Sequence, residues 1–507
     1  MQTTSQQGQD TTERGLLIGG DEVPAVSGET LPVLDPTAGK EIARVAAAGA
    51  DDVDRAVQVA ARTFDSGVWS RCSIAERARV LNRFADNIEQ EIERLYQLET
   101  LYNGRPITET RAQISRLPEW YRYNAALLLA DRSSVVPMPG PYHSYTKRFP
   151  LGVVGILSSF NHPLMIGSKS LAPALAAGNS VVLKPSELTP MTSIVLGELA
   201  LQSGLPPGVL NVVQGEGAVA GAALAAHPGV AKITFTGGTA AGRAVATAAA
   251  GRFAKHTVEL GGKSPVLVFG DSPVEEAARG VAFGGFIGAG QTCIAGTRVL
   301  VETGVHDEFV DALVQVAEQI RIGDPALPET QLGPVISAQA REKITGYVEL
   351  GLAEGAELAA GGDTPDVPGC PDGFFVRPTV LTKATNDMRV AREEIFGPVL
   401  VVIEVADEAD AVAQANDSPY GLGSAIWTRD VARAHRVAEA LDQGIVWVND
   451  HHRLDPASPW GGLRDSGSGK EGGWESFHDF SHLKSVTVRT AADGVDWYGD
   501  RGVERLN

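Results

Sequence analysis

The sequence predicts an α/β protein with two doubly wound α/β domains and a small β-ribbon. Three observations carry this. Short apolar runs alternate with helical patterns from Pro150 onward, a second such series starts at Pro265, and one Pro-rich strand-like stretch belongs to neither. At 507 residues the chain has room for two or three domains, and a hydrophobic fraction of 43% suffices for their cores.

Residues 1–14 are polar and lack the charged-then-apolar plan of a secretory signal, so a disordered lead is expected. Ser73-Ile74-Ala75-Glu76 forms a capping box, followed by apolar residues at helical spacing through Leu81, Phe84, Ala85, Ile88 and Ile92. The helical pattern runs to Tyr102, where Gly104 and Pro106 end it. The first series then places strands at Val153–Leu157, Val181–Lys184, Leu210–Val213 and Lys232–Phe235, with helices opening near Pro163, Thr189, Ala218 and Thr239. The second places strands at Pro265–Phe269, Arg298–Val301, Val399–Val405, Ser424–Trp427 and Ile445–Val448. Val135–Arg148, broken by Pro137, Pro139, Gly140 and Pro141, and the isolated strand Leu483–Arg489 are expected to form a ribbon apart from both domains. The expected division is 15–130 with 151–261, then 262–476, a ribbon of 131–150 and 477–490, and a tail of 491–507.

A formal charge of −19 argues against nucleic acid or an anionic membrane as partner. No stretch approaches the roughly 18 uninterrupted apolar residues of a membrane span. Three cysteines, Cys72, Cys293 and Cys370, show no paired spacing, so neither a disulfide framework nor a zinc knuckle is implied, and a cytoplasmic location suits them.

Cys293 sits in Gly290-Gln291-Thr292-Cys293, and Glu259 opens Glu259-Leu260-Gly261-Gly262-Lys263, both read as Gly-rich turns. A thiolate adds to an electrophilic carbon, and a carboxylate one water away can activate the water that releases the product. Taken alone, Cys293 reads more readily as a buried structural cysteine. The neighbouring motifs reverse that. In Phe235-Thr236-Gly237-Gly238-Thr239 a strand runs into a Gly-rich turn and an Ala-rich helix, whose free N–H groups and dipole favour a pyrophosphate, a plain tight turn being the alternative. Lys184-Pro185-Ser186-Glu187 ends a strand, where open α/β sheets collect ligands; Lys184 can donate to ribose hydroxyls and Glu187 accept from them, or both can be loop residues. Gly467 to Gly472 matches G-x-G-x-x-G but is loop-like with no preceding strand, so it is no dinucleotide fingerprint. His451-His452 reads as loop lining rather than a metal site, since adjacent histidines point different ways; no metal is expected.

In their order, Phe160-Asn161-His162-Pro163, Lys184 to Glu187, Phe235 to Thr239, Glu259 to Lys263, Gly290 to Cys293, Glu393-Glu394-Ile395-Phe396-Gly397-Pro398 and Pro459-Trp460-Gly461-Gly462 resemble the NAD(P)-dependent aldehyde dehydrogenase superfamily, from about Leu17 to Arg489. The resemblance implies that 15–130 and 151–261 bind NAD, with NADP possible, and that 262–476 is catalytic. It implies Cys293 as nucleophile, Glu259 as general base, and Asn161 with the Cys293 N–H as oxyanion hole. Lys184 and Glu187 would hold the adenosine ribose, Gly217 the adenine side, Gly237 and Gly238 the pyrophosphate, and Glu394 and Phe396 the nicotinamide ribose and ring. Phe160, Phe235 and Leu260 complete the cofactor set. His162, Ile166, Thr292, Ile294, His452, Leu454 and Trp460 would line the substrate tunnel, which admits aromatic, aliphatic or semialdehyde substrates.

Four departures stand out. Phe160 replaces the usual Trp, Gly238 a common Ser, and Trp460 a common Phe. Ser170 stands where a Lys is usual, with Lys169 just before it, which leaves a proton relay to Glu471 open. The activity implied is oxidation of an aldehyde to the carboxylic acid through a cysteine thiohemiacetal and thioester, by a homotetramer or homodimer closed through the ribbon. The alternatives are a CoA-acylating semialdehyde dehydrogenase, whose members commonly lack the Glu present here as Glu259, and a catalytically silent protein on the same fold.

Overall fold

The computed structural model describes residues 12–492 together with Gly494 and Tyr498. Residues 1–11 and most of the tail lie outside the described residues.

Two α/β domains carry the chain. In the first sheet the strands lie in the order Gly467–Ser468, Lys255–Glu259, Val230–Thr236, Val153–Leu157, Ser180–Lys184, Leu210–Val212, Leu16–Ile18 and Asp21–Val23. The five from Lys255–Glu259 to Leu210–Val212 are parallel. Val153–Leu157 and Ser180–Lys184 are buried at every residue, because helices cover both faces of a parallel sheet. The second sheet runs Glu357–Ala360, Thr379–Thr382, Val399–Val405, Arg298–Glu302, Pro265–Val268, Gly423–Trp427 and Ile445–Val448, parallel except at its first strand. The ribbon stands apart: Ser481–Arg489 pairs antiparallel with Tyr142–Pro150 along its whole length, and Val135–Val136 adds a third strand. Among the described residues no helix is long and apolar enough to cross a membrane.

Several elements differ from the sequence expectation. Thr12–Arg14, expected within the lead, pairs in parallel with Ala43 to Val45. Two or more helices are expected before the chemistry, and the pattern to Tyr102 indeed holds two, Ile74–Gln90 and Ile92–Asn103, which meet at Glu91. Ser73 caps the first by accepting from the Glu76 N–H at 3.1 Å, and Gly104, at φ +83°, ends the second. Ahead of both lies the unexpected helix Ala50–Ser66, whose start is held by Asp52 accepting from the Gly49 N–H at 3.0 Å. Lys255–Glu259 is a strand, so Glu259 ends a strand rather than opening a turn. Gly467–Ser468, expected in a loop, is a two-residue strand paired with Val258 and Glu259. Phe477 to Asp479 belong to the helix Gly473–Asp479, not to the ribbon.

Candidate active site

The parallel strands of the first sheet deliver their carboxyl ends to one place. Val153–Leu157 leads into Phe160 and Asn161, Ser180–Lys184 ends on Lys184, Val230–Thr236 on the turn at Gly237, and Lys255–Glu259 on Glu259. Val153–Leu157 has a successor on each side, so the chain reverses direction there, and such a switch point opens a crevice.

Cys293 arrives from the second domain on a constrained loop. Gly288, Ala289 and Gly290 all have positive φ, at 62°, 55° and 69°. A Cβ on Gly290 would fall 2.2 Å from the Gly397 carbonyl oxygen, so the loop requires glycine there. Gln291 fastens it by accepting from the Ile336 N–H at 3.0 Å. The buried Asn161 bridges the domains: its Nδ2 donates to the Gln291 carbonyl at 2.8 Å, and its Oδ1 accepts from Ser159 Oγ at 2.7 Å. The Asn161 amide is therefore fixed two residues from the Cys293 sulfur.

Cys293 and Glu259 both line two cavities, which meet at them. Burial pushes the Cys293 thiol up to about 12, with Lys169 opposing and Glu259 adding to the shift, so the resting group is a thiol. Glu259 is 4% exposed and neither carboxylate oxygen is in a hydrogen bond. Burial, then the charge of Glu471, holds its carboxyl well above the ordinary range. A Cβ on Gly461 would come within 2.8 Å of Glu259 Oε1, so the glycine leaves the base room. Glu471 accepts from Ser170 Oγ at 2.9 Å and pairs with Lys169 Nζ at 2.7 Å. The usual lysine position is Ser170, yet an ammonium still reaches Glu471, supplied from one residue earlier.

The first cavity, about 830 Å³, is bordered by all ten residues expected to bind the cofactor: Phe160, Lys184, Glu187, Gly217, Phe235, Gly237, Gly238, Leu260, Glu394 and Phe396. Lys184 Nζ donates to Glu187 Oε2 at 3.0 Å, and Glu394 Oε1 accepts from the Gly262 N–H at 3.2 Å. A Cβ on Gly261 would fall 2.1 Å from Glu394 Oε2, so the carboxylate rests where only glycine leaves space. At the far end Ala222, Ala225, Ala244 and Ala248 make an apolar slot, and Gly237 and Gly238 open the helix Thr239–Ala250 in between. An apolar slot, a helix N-terminus and two carboxylates in one elongated space fit a dinucleotide.

The second cavity, about 540 Å³, is bordered by His162, Ile166, Thr292, Ile294, His452, Leu454 and Trp460, the whole expected tunnel set. His162 Nδ1 faces Gln113 Oε1 at 3.1 Å, and Thr292 Oγ1 and His452 Nε2 bond at 3.0 Å. Burial lowers both imidazoles well below their ordinary range, so they are neutral hydrogen-bonding groups. Contrary to expectation, His451 and His452 do not diverge: their rings lie 4.6 Å apart, with His451 stacked on Trp447. The sequence reading missed Arg105, Gln113, Phe283 and Lys169 in this wall. Lys169 had a signal, since His162, Ile166 and Lys169 follow helical spacing along Pro163–Ala177.

Residues 23–486 match the model of the aldehyde dehydrogenase family. The chain belongs to that family. It is 39% identical over 484 residues to a betaine aldehyde dehydrogenase of Bacillus subtilis (strain 168), covering 95% of this chain and 99% of the relative. It is 40% identical over 484 residues to the mitochondrial aldehyde dehydrogenase family 2 member B4 of Arabidopsis thaliana, covering 95% and 89%. The crystal structure of a betaine aldehyde dehydrogenase from Staphylococcus aureus in complex with NAD+ superposes with a TM-score of 0.94 at 36% identity, covering 96% of this chain and 97% of that one. This aldehyde dehydrogenase is an oxidoreductase acting on aldehydes.

Proposed function

We propose that the chain oxidises an aldehyde to the carboxylic acid with NAD, using Cys293 as nucleophile and water as the final acyl acceptor. The observation that carries this reading is the meeting of both cavities at Cys293 and Glu259, one from each domain. Lys184 and Glu187 hold the adenosine ribose, Gly217 lies on the adenine side, and Gly237 and Gly238 open the helix end that takes the pyrophosphate. Glu394 and Phe396 hold the nicotinamide end. When bound, NAD supplies the hydride acceptor that turns the adduct on Cys293 into a thioester.

Cys293 gives up its proton to solvent water as Sγ adds to the carbonyl carbon, giving a tetrahedral oxyanion. Asn161 Nδ2 and the Cys293 N–H donate to that oxygen, and their cost of organisation is already met by the bond from Asn161 to the Gln291 carbonyl. Glu259, whose raised proton affinity suits a base near neutral pH, then takes a proton from water as the water attacks the thioester. The thiol leaves with the proton that Glu259 took, which restores the base, and the carboxylic acid is released. Purified protein with aldehyde and NAD should give one NADH and one carboxylate per turnover without CoA. Cys293→Ala should give neither while still binding NAD; retention of most activity in that variant would remove the mechanism.

A further inference from the structure

The tunnel wall contains a cation of its own. Lys169 lines the second cavity and lies only 7% exposed, with Nζ 4.4 Å from the centroid of the Trp460 ring and 2.7 Å from Glu471 Oε2. A buried ammonium over an aromatic face takes the position that a cationic ligand would seek. The carboxylates on the same wall are spoken for. Glu109 faces Arg105 at 3.6 Å, Asp450 faces Arg453 at 3.6 Å, and Glu259 is held toward its neutral form by burial and Glu471. Lys169 therefore occupies a face of Trp460, and among the described residues the one carboxylate of this wall outside a salt bridge is the buried base Glu259.

We infer that Lys169 is a specificity-determining residue that turns this tunnel against cationic aldehydes and toward uncharged or anionic ones. The inference rests on the aldehyde-oxidising reading above, and it separates this chain from the trimethylammonium substrate named for its betaine aldehyde relatives. A second unit charge about 6 Å from Lys169, at an effective dielectric of about 20, is disfavoured by roughly 100-fold. Glu471 offsets part of this, which leaves an expected discrimination of about tenfold or more.

The test compares kcat/KM for betaine aldehyde with that for 3,3-dimethylbutanal, which has carbon in place of the charged nitrogen and nearly the same shape. Wild type, Lys169→Met and Lys169→Arg are measured with saturating NAD. Comparing the substrate ratio between variants cancels the different intrinsic reactivity of the two aldehydes. The preference for the uncharged aldehyde should fall about tenfold in Lys169→Met and persist in Lys169→Arg. An unchanged ratio in Lys169→Met, or an equal collapse in Lys169→Arg, overturns the inference. A second measurement needs no variant: 3,3-dimethylbutan-1-ol should inhibit the wild type at about a tenth of the concentration of choline or less, and equal or tighter inhibition by choline overturns the inference. Wild type that oxidises neither aldehyde, nor any other, removes the underlying activity instead.

Discussion

Replacing Glu259 with Gln should divide the catalytic cycle in two. The side chain is buried, isosteric with Gln, and has neither oxygen in a hydrogen bond, so the exchange breaks no contact that holds the loop of Cys293. Carbonyl addition and the first NADH survive; the amide cannot accept a proton from the attacking water. Loss of a general base costs roughly 10²–10⁴-fold, or about 2.7–5.5 kcal/mol on the deacylation barrier. Rapid mixing with aldehyde and NAD should show a burst of about one NADH per site followed by a steady rate lowered by that factor. The wild-type kcat should rise with pH until the raised Glu259 pKa is passed, since the base works only when deprotonated, and the variant should lack this limb. Stability has the opposite sign. A carboxyl whose folded pKa is raised loses its proton first in the unfolded chain, so wild type loses about 1.4 kcal/mol per pKa unit as pH climbs from the ordinary carboxyl range to the raised value. The Gln variant escapes that loss, and its Tm at pH 8 should equal or exceed that of wild type. Equal loss of burst and steady rate would place Glu259 in thiol activation, and an unaltered acid limb would give the titration to another group.

Asn161→Ala should lower kcat/KM by about 10²–10³-fold while the dissociation constant for NAD, read by NADH fluorescence displacement, stays within twofold; a loss under tenfold would remove Asn161 from the oxyanion hole. Glu187 sits beside the expected adenosine ribose, paired with Lys184, and repels a 2′-phosphate, so kcat/KM should be higher with NAD than with NADP and the gap should narrow in Glu187→Gln. A wild type that works better with NADP contradicts this. The ribbon exposes Val135 at 67% and Leu483 at 59%, and its outer strand edge invites pairing, so light scattering should report a homo-oligomer that Leu483→Glu weakens. A monomer at micromolar concentration would count against it.

What the sequence revealed follows from burial. The central parallel strands are covered on both faces, so they appear as unbroken apolar runs, and their ends mark where Asn161, Lys184 and Gly237 collect. Lys255–Glu259 escaped notice because the polar Lys255 and Thr257, on one face of the strand, break any apolar run. The structure explains those polar residues: Lys255 Nζ donates to Asp479 Oδ1 at 3.2 Å, and Thr257 Oγ1 to Asp479 Oδ2 at 3.2 Å, partners from more than two hundred positions downstream. No local pattern contains such a partner. Lys169 is legible only as the neighbour of Ser170, for a different reason. One step along a helix turns a side chain by about 100°, which suggests that only one of two neighbours can reach a given group. Glu471 lies across the helix so that Lys169 and Ser170 approach its two oxygens from either side.

The pairing of Gly467–Ser468 with Val258 and Glu259 bears on how the molecule is made. The strand that ends on the base is completed, and Glu471 is brought to its neighbourhood, only by a segment close to the end of the chain. During synthesis from the N-terminus, Glu259 and the thiol loop are therefore made well before the segment that pairs with Glu259 and carries Glu471. Such late, long-range closure also raises contact order and slows the final folding step.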